Sequence, residues 1–117
     1  MKLYYAHCVS IYGTMQESRD LETIKKLFPE YELHNPNCED DAIAYKKCGM
    51  DYFTSIVLLS DLVVFRALPN GKIPAGVWKE VNTARENDIP VIELPCYTER
   101  MMSVDDTRYF LKEIGYR

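Results

Sequence analysis

The sequence predicts an α/β fold: a small open sheet of about four parallel strands with helices on both faces. Three observations lead there. Short apolar runs alternate with amphipathic stretches along the chain. One run, "DLVVFRA", has an unbroken apolar centre, as a strand covered on both faces requires. The 117 residues are 47% apolar and 27% charged, enough for one packed core, so 1–117 is expected to form a single domain.

The first strand is "KLYYAH", rich in aromatics. "MQESRDLETIKKLF" follows with helical spacing and sets Leu21, Ile24, Leu27 and Phe28 on one face. Thr14 with Glu17 three residues later forms a capping box at its start, and Pro29 stops it. "YELHNPN" is a short second strand closed by an Asn-Pro turn. Residues 39–60 predict one helix, irregular at Gly49. "DLVVFRA" is the third strand, with Asp61 as a turn residue at its start. The segment "LPNGKIPAG" is long for a connector and favours a working loop. A helix carrying Trp78, Glu80, Val81 and Ala84 then leads to "IPVIEL", expected as a fourth buried strand. The last helix starts at Ser103, with Asp106 in capping-box spacing, and ends near Gly115.

Right-handed crossovers between these strands give the order 2-1-3-4, a Rossmann/flavodoxin-like arrangement. Ligands in such sheets bind beyond the carboxyl ends of the strands, where the order reverses. The switch falls between the first and third strands. "HCVSIYGT", "HNPN" and "LPNGKIPAGVWKE" are therefore expected around one crevice.

Composition narrows the partners. The formal charge is −4 and Lys and Arg are scattered, so no nucleic-acid polymer is expected. The apolar stretch in "MKLYYAHCVS" is too short for a signal peptide and no run approaches a membrane span, so a cytoplasmic location is expected. Cys8, Cys38, Cys48 and Cys96 form no C-x-x-C and are expected to be buried free thiols. A zinc site drawn from Cys8, Cys38, Cys48, His7 and His34 would have the wrong spacing, and no metal or cofactor is expected. The nine tyrosines suit pocket walls and subunit contacts.

Two places could carry chemistry. Ser10, Gly13 and Thr14 precede a helix, where N–H groups and hydroxyls either meet an anion or simply cap the helix. Glu80 leans back over Gly76 and Val77, and Gly76 leaves space above its carboxylate. Nearby N–H groups would keep that carboxylate ionised. It then serves either as a nucleophile or as an acid complementing the helix dipole.

The strand "KLYYAH", the run "SDLVVF" and the segment "AGVWKEVNTARENDIPVIEL" together resemble the nucleoside 2-deoxyribosyltransferase-like superfamily. That superfamily includes transferases, nucleotide N-glycosidases and sensor-like domains, and the resemblance runs from Met1 to about Pro95. Gly76 and Glu80 match the family's Gly and the Glu it uses as nucleophile, and Tyr4 matches a Tyr that hydrogen-bonds the nucleophile. Where the transferases carry an Asp two residues before the Gly, this chain has Pro74. A second family Asp falls near Phe53, which leaves Asp51 as the nearest candidate.

The resemblance implies hydrolysis or transfer at the N-glycosidic bond of a nucleoside or nucleotide. The alternative is a non-catalytic binding or sensor domain of the same fold. Asp51, and after it His7, are candidates to protonate the leaving base; His7 equally fits a strand-end residue bonded to backbone. The Ser10–Thr14 loop would hold sugar or 5′-phosphate. Asn35 and Asn70 would hydrogen-bond ribose or base, although Asn-Pro and Asn-Gly turns account for both. Trp78 would stack on a base or serve a core or subunit contact. Family members are commonly oligomers, so a homo-oligomer is expected, with the segment "CYTERMMS" available to a neighbouring subunit.

Overall fold

A computed structural model describes residues 1–95 and 103–116 of the chain. The elements run β1 (Lys2–Ala6), α1 (Met15–Leu27), β2 (Glu32–His34), α2 (Glu39–Cys48), α3 (Met50–Leu58), β3 (Leu62–Phe65), α4 (Ala75–Glu86), β4 (Val91–Glu93) and α5 (Val104–Glu113). A 3-10 turn over Val9–Ile11 follows β1. The four strands are all parallel and lie in the order β2-β1-β3-β4, as the sequence predicts.

Side chains alternate across the sheet, so β1 feeds two cores. Leu3 and Tyr5 pack with Ile24 of α1 and with Leu62, Val64 and Leu94. Tyr4 and Ala6 pack on the other face with Val57 of α3, Val63, Phe65, and Val77, Val81 and Ala84 of α4. Helices thus cover both faces. Tyr4 pairs with His34 of β2 and Val63 of β3, which fixes it in the middle of the sheet. At the strand starts, Asp61 Oδ2 accepts from the Lys2 N–H at 2.7 Å, a contact between the starts of β1 and β3.

The acids of α1 depart from expectation. Glu17, Asp20 and Ile24 form its buried stripe, whereas Leu27 is 62% exposed. Asp20 is fully buried because it has partners. It accepts from Arg66 Nε at 2.9 Å, Arg66 Nη2 at 2.6 Å, the Tyr5 hydroxyl at 2.6 Å and Gln16 Nε2 at 2.9 Å. Arg66 also donates to the Leu94 and Pro95 carbonyls. This buried pair ties α1 to the carboxyl ends of β1 and β3 and to the exit of β4.

Three further expectations are corrected. Residues 39–60 form two helices, because Gly49 takes φ 65° and ψ −153°, a conformation open essentially to glycine alone. "IPVIEL" is only partly buried: β4 is an edge strand, and Ile92 and Glu93 face solvent while Leu94 just beyond it enters the core. The described thiols are free, but Cys38 and Cys48 are exposed and Cys8 is half-buried. Cys96 and the rest of 96–102 lie outside the described residues. The last helix begins as predicted, with the Ser103 hydroxyl accepting from the Asp106 N–H at 3.1 Å, and it contributes no buried side chain. Among the described residues, no helix is long and apolar enough to cross a membrane.

Candidate functional site

A cavity of about 570 Å³ lies at the carboxyl end of β1, the size of a small-molecule pocket. Its wall comes from several segments. Tyr4 and Glu80 line its inner part. The stretch after β1 supplies His7, Cys8, Val9 and Tyr12, and the turn before α2 supplies Pro36, Asn37 and Cys38. Tyr45, Lys46, Met50 and Phe53 stand on the α2–α3 side, and Pro74, Gly76 and Val77 at the start of α4. Among the described residues, Glu80 is the only carboxyl group on this wall.

Glu80 sits in the second turn of α4, not at its cap, which is Pro74. It is 6% exposed, and its Oε2 is buried without a hydrogen-bond partner. Burial pushes the carboxyl up to about 8, against the opposing influence of a hydrogen bond from Tyr4. The sequence-based expectation of an ionised Glu80 is therefore corrected. Helix-end stabilisation fades beyond the first turn, and desolvation wins. The Tyr4 phenol is driven well above its ordinary range by burial and then by the Glu80 charge. It remains a proton donor facing that carboxyl.

Gly76 lines the cavity as predicted, but the room it leaves is modest. A methyl group there would meet Met50 Cε at 3.5 Å, an ordinary contact.

Of the 10–14 loop only Tyr12 lines the cavity; Ser10, Gly13 and Thr14 do not, and most of the loop's N–H groups are engaged locally. The N–H groups of Ile11, Tyr12 and Thr14 donate to Cys8, Val9 and Ile11 carbonyls, and the Gly13 N–H donates to Glu17 Oε1 at 3.2 Å. The Thr14 hydroxyl caps α1 by accepting from the Glu17 N–H at 3.3 Å. Ser10 is exposed. Only half of the capping box forms, because the Glu17 carboxylate turns to other partners.

Asn35 and Asn70 also lie off the wall. Each closes its own turn, accepting from the Asn37 N–H at 3.0 Å and the Lys72 N–H at 2.9 Å. Asp51 projects into solvent, its side chain 89% exposed and 3.7 Å from Lys79 Nζ, outside the cavity. Trp78 faces outward as well, under the Arg85 guanidinium at 5.8 Å.

The chain matches no family model, no curated protein and no solved structure.

Around the cavity, polar groups are joined in contacts that the sequence does not show. Glu17 Oε2 lies 2.8 Å from His7 Nε2, and Asn37 Nδ2 donates to both carboxylate oxygens at 3.0 and 3.2 Å. Burial opposes ionisation of Glu17, but bonds from His7, the Gly13 N–H and Asn37 outweigh it and hold the carboxyl below its usual range. His7 Nδ1 faces the Tyr5 carbonyl at 3.1 Å, and its ring stacks on Tyr5 at 3.8 Å. His7 is thus bonded to backbone, as one of its two readings held, with a carboxylate on its other nitrogen.

Asp41 is buried beneath the α2 side, accepting from His34 Nε2 and the Tyr52 hydroxyl at 2.6 Å each. The latter bond pushes the Tyr52 phenol up to about 12. Burial, then the charges of Glu80 and Glu17, raise the Tyr12 phenol, which stays a hydrogen-bond donor at the rim. One signal was legible for this set. Glu17 and Asp20 share the inward stripe of α1 with Ile24, and acids on a core stripe need buried partners. Among the described residues no three His, Cys, Asp or Glu side chains gather as a metal site.

Proposed function

We propose that this protein breaks the N-glycosidic bond of a nucleoside, with Glu80 as the nucleophile. The observation that carries this reading is a buried carboxyl on the wall of an aromatic-lined cavity, with one oxygen unpartnered and a phenol donor beside it. Once deprotonated, a Glu80 oxygen bonds to the anomeric carbon as the C–N bond breaks. The bonding pair leaves with the base, which takes a proton from water. Water then attacks the glycosyl ester and releases the sugar and the free carboxylate; an incoming base in place of water makes the same site a transferase. Tyr4 orients the carboxyl and lowers its pKa towards the working range. The N–H groups of Ile11, Tyr12, Gly13 and Thr14 are already engaged, which favours a nucleoside over its 5′-monophosphate.

A second reading, a binding or sensor domain of the same fold, draws on a different observation. Pro74 and Phe53 stand on the cavity wall at the two places where the resemblance expects acids, and Asp51 is outside it. Free thiols at Cys8, Cys38 and Cys48 suit work in the cytoplasm, and we expect a homo-oligomer.

Base release and base exchange decide between the two. Wild type and Glu80→Gln are incubated with a panel of nucleosides and 5′-monophosphates from pH 6 to 9 and followed by chromatography. Release that disappears in Glu80→Gln supports the enzyme. Thermal-shift binding with no release from any compound supports the binding domain.

A further inference from the structure

The two loops that wall the cavity opposite α4 come from distant parts of the sequence, and one side chain joins them. Glu17 projects from the first turn of α1 and reaches three separate segments. At the end of β1 it holds His7 Nε2 at 2.8 Å, in the 3-10 loop the Gly13 N–H at 3.2 Å, and in the turn before α2 Asn37 Nδ2 at 3.0 Å. The contact with His7 also sets a ring. His7 lies between Tyr5, parallel at 3.8 Å, and Tyr12 at 4.8 Å, so fixing its Nε2 fixes the surface against which Tyr12 rests.

We propose that Glu17 is a positioning residue for the Glu80 cavity: it clamps the Cys8–Tyr12 and Pro36–Cys38 walls at one separation and thereby sets the shape of the ligand site. This rests on the Glu80 cavity being where the ligand binds, and not on which reaction follows. A buried carboxylate with several donors is well suited to the task, since charge-assisted bonds are stronger than neutral ones and gain further away from bulk water. No sheet ladder joins the two loops, and the first contains only the 3-10 turn over Val9–Ile11.

Amide hydrogen exchange tests the clamp without needing a ligand. Wild type, Glu17→Ala, Glu17→Gln and Ile24→Val are compared, the last a core variant that destabilises the same helix without touching the clamp. Glu17→Ala is expected to raise exchange in both 9–14 and 35–38 by about tenfold or more, the factor for one net hydrogen bond. Glu17→Gln restores most of the protection, because its carbonyl takes the place of Oε1 against Gly13 and Asn37.

With whichever nucleoside the wild type cleaves, Glu17→Ala raises KM with little change in kcat. Unchanged exchange in the two loops, or an equal rise in Ile24→Val, overturns the proposal. Should wild type cleave no nucleoside, the reading of Glu80 as a nucleophile fails by itself, and the exchange data still decide the clamp.

Discussion

Tyr4 and Glu80 meet across the larger core, one from the middle strand of the sheet and the other from the second turn of α4. The strand fixes the phenol through its pairing with both His34 and Val63, so the donor cannot drift. The helix brings a carboxyl into a place where water does not reach one of its oxygens. Together they form an acid that burial raises to about 8, with the Tyr4 hydrogen bond opposing that rise.

Tyr4→Phe keeps the ring and removes that donor. The Glu80 carboxyl should then titrate higher than its present value of about 8, by about one pH unit for a hydrogen bond to a charged group. Carboxyl-directed NMR titration of the two proteins reads the shift directly. A lower value in Tyr4→Phe would mean that the phenol does not stabilise the ionised form.

Glu80 also makes stability depend on pH. Its folded value of about 8 lies above the ordinary 4.5, so the folded chain holds a proton that the unfolded chain has lost between those limits. The associated stability is fully present below 4.5, declines as pH rises through the window and is gone above about 8. Glu80→Leu removes the titration. It should be more stable than wild type at pH 9, by about 2 kcal/mol for relief of a buried unsatisfied group, with a smaller difference at pH 5. Urea melts at the two pH values measure it.

Gly76→Ala separates the roles of helix and cavity. The added methyl meets Met50 at ordinary contact distance, so folding should gain about 0.5–1 kcal/mol from the better helix former. The same methyl narrows the cavity beside Glu80, and ligand affinity should fall. Equal thermal shifts by nucleosides in both proteins would place the ligand elsewhere.

Asp20→Ala leaves the Arg66 guanidinium buried opposite the removed acid. Breaking such a pair should cost about 3–5 kcal/mol. For a chain of this length that lowers the thermal midpoint by well over about 10 °C, readable by circular dichroism. A shift of only a degree or two would show that other groups take over the charge.

The alternation of apolar runs with amphipathic segments was enough for the four parallel strands, their order, and the place of the crevice. Those features follow from local periodicity and from handedness rules that hold for any such sequence. Thr14 and Ser103 capped their helices as expected, because a cap is a contact three residues away. Gly76, Glu80 and Tyr4 also met on the cavity wall as the sequence suggests.

The charge state of Glu80 was beyond that reach, since it depends on how much water the assembled core excludes. So were the clamps of Glu17, Asp20 and Asp41, whose partners stand up to 46 residues away. From sequence Glu17 reads as a capping-box acid and nothing singles out Asp20 or Asp41, whereas Asp51, Asn35 and Asn70 stand as ligand candidates beside their turn or helix readings. Sequence spacing carries the direction of a side chain within its own element. Only the packing of one element on another decides whether that direction leads to solvent, to a buried partner or into the cavity.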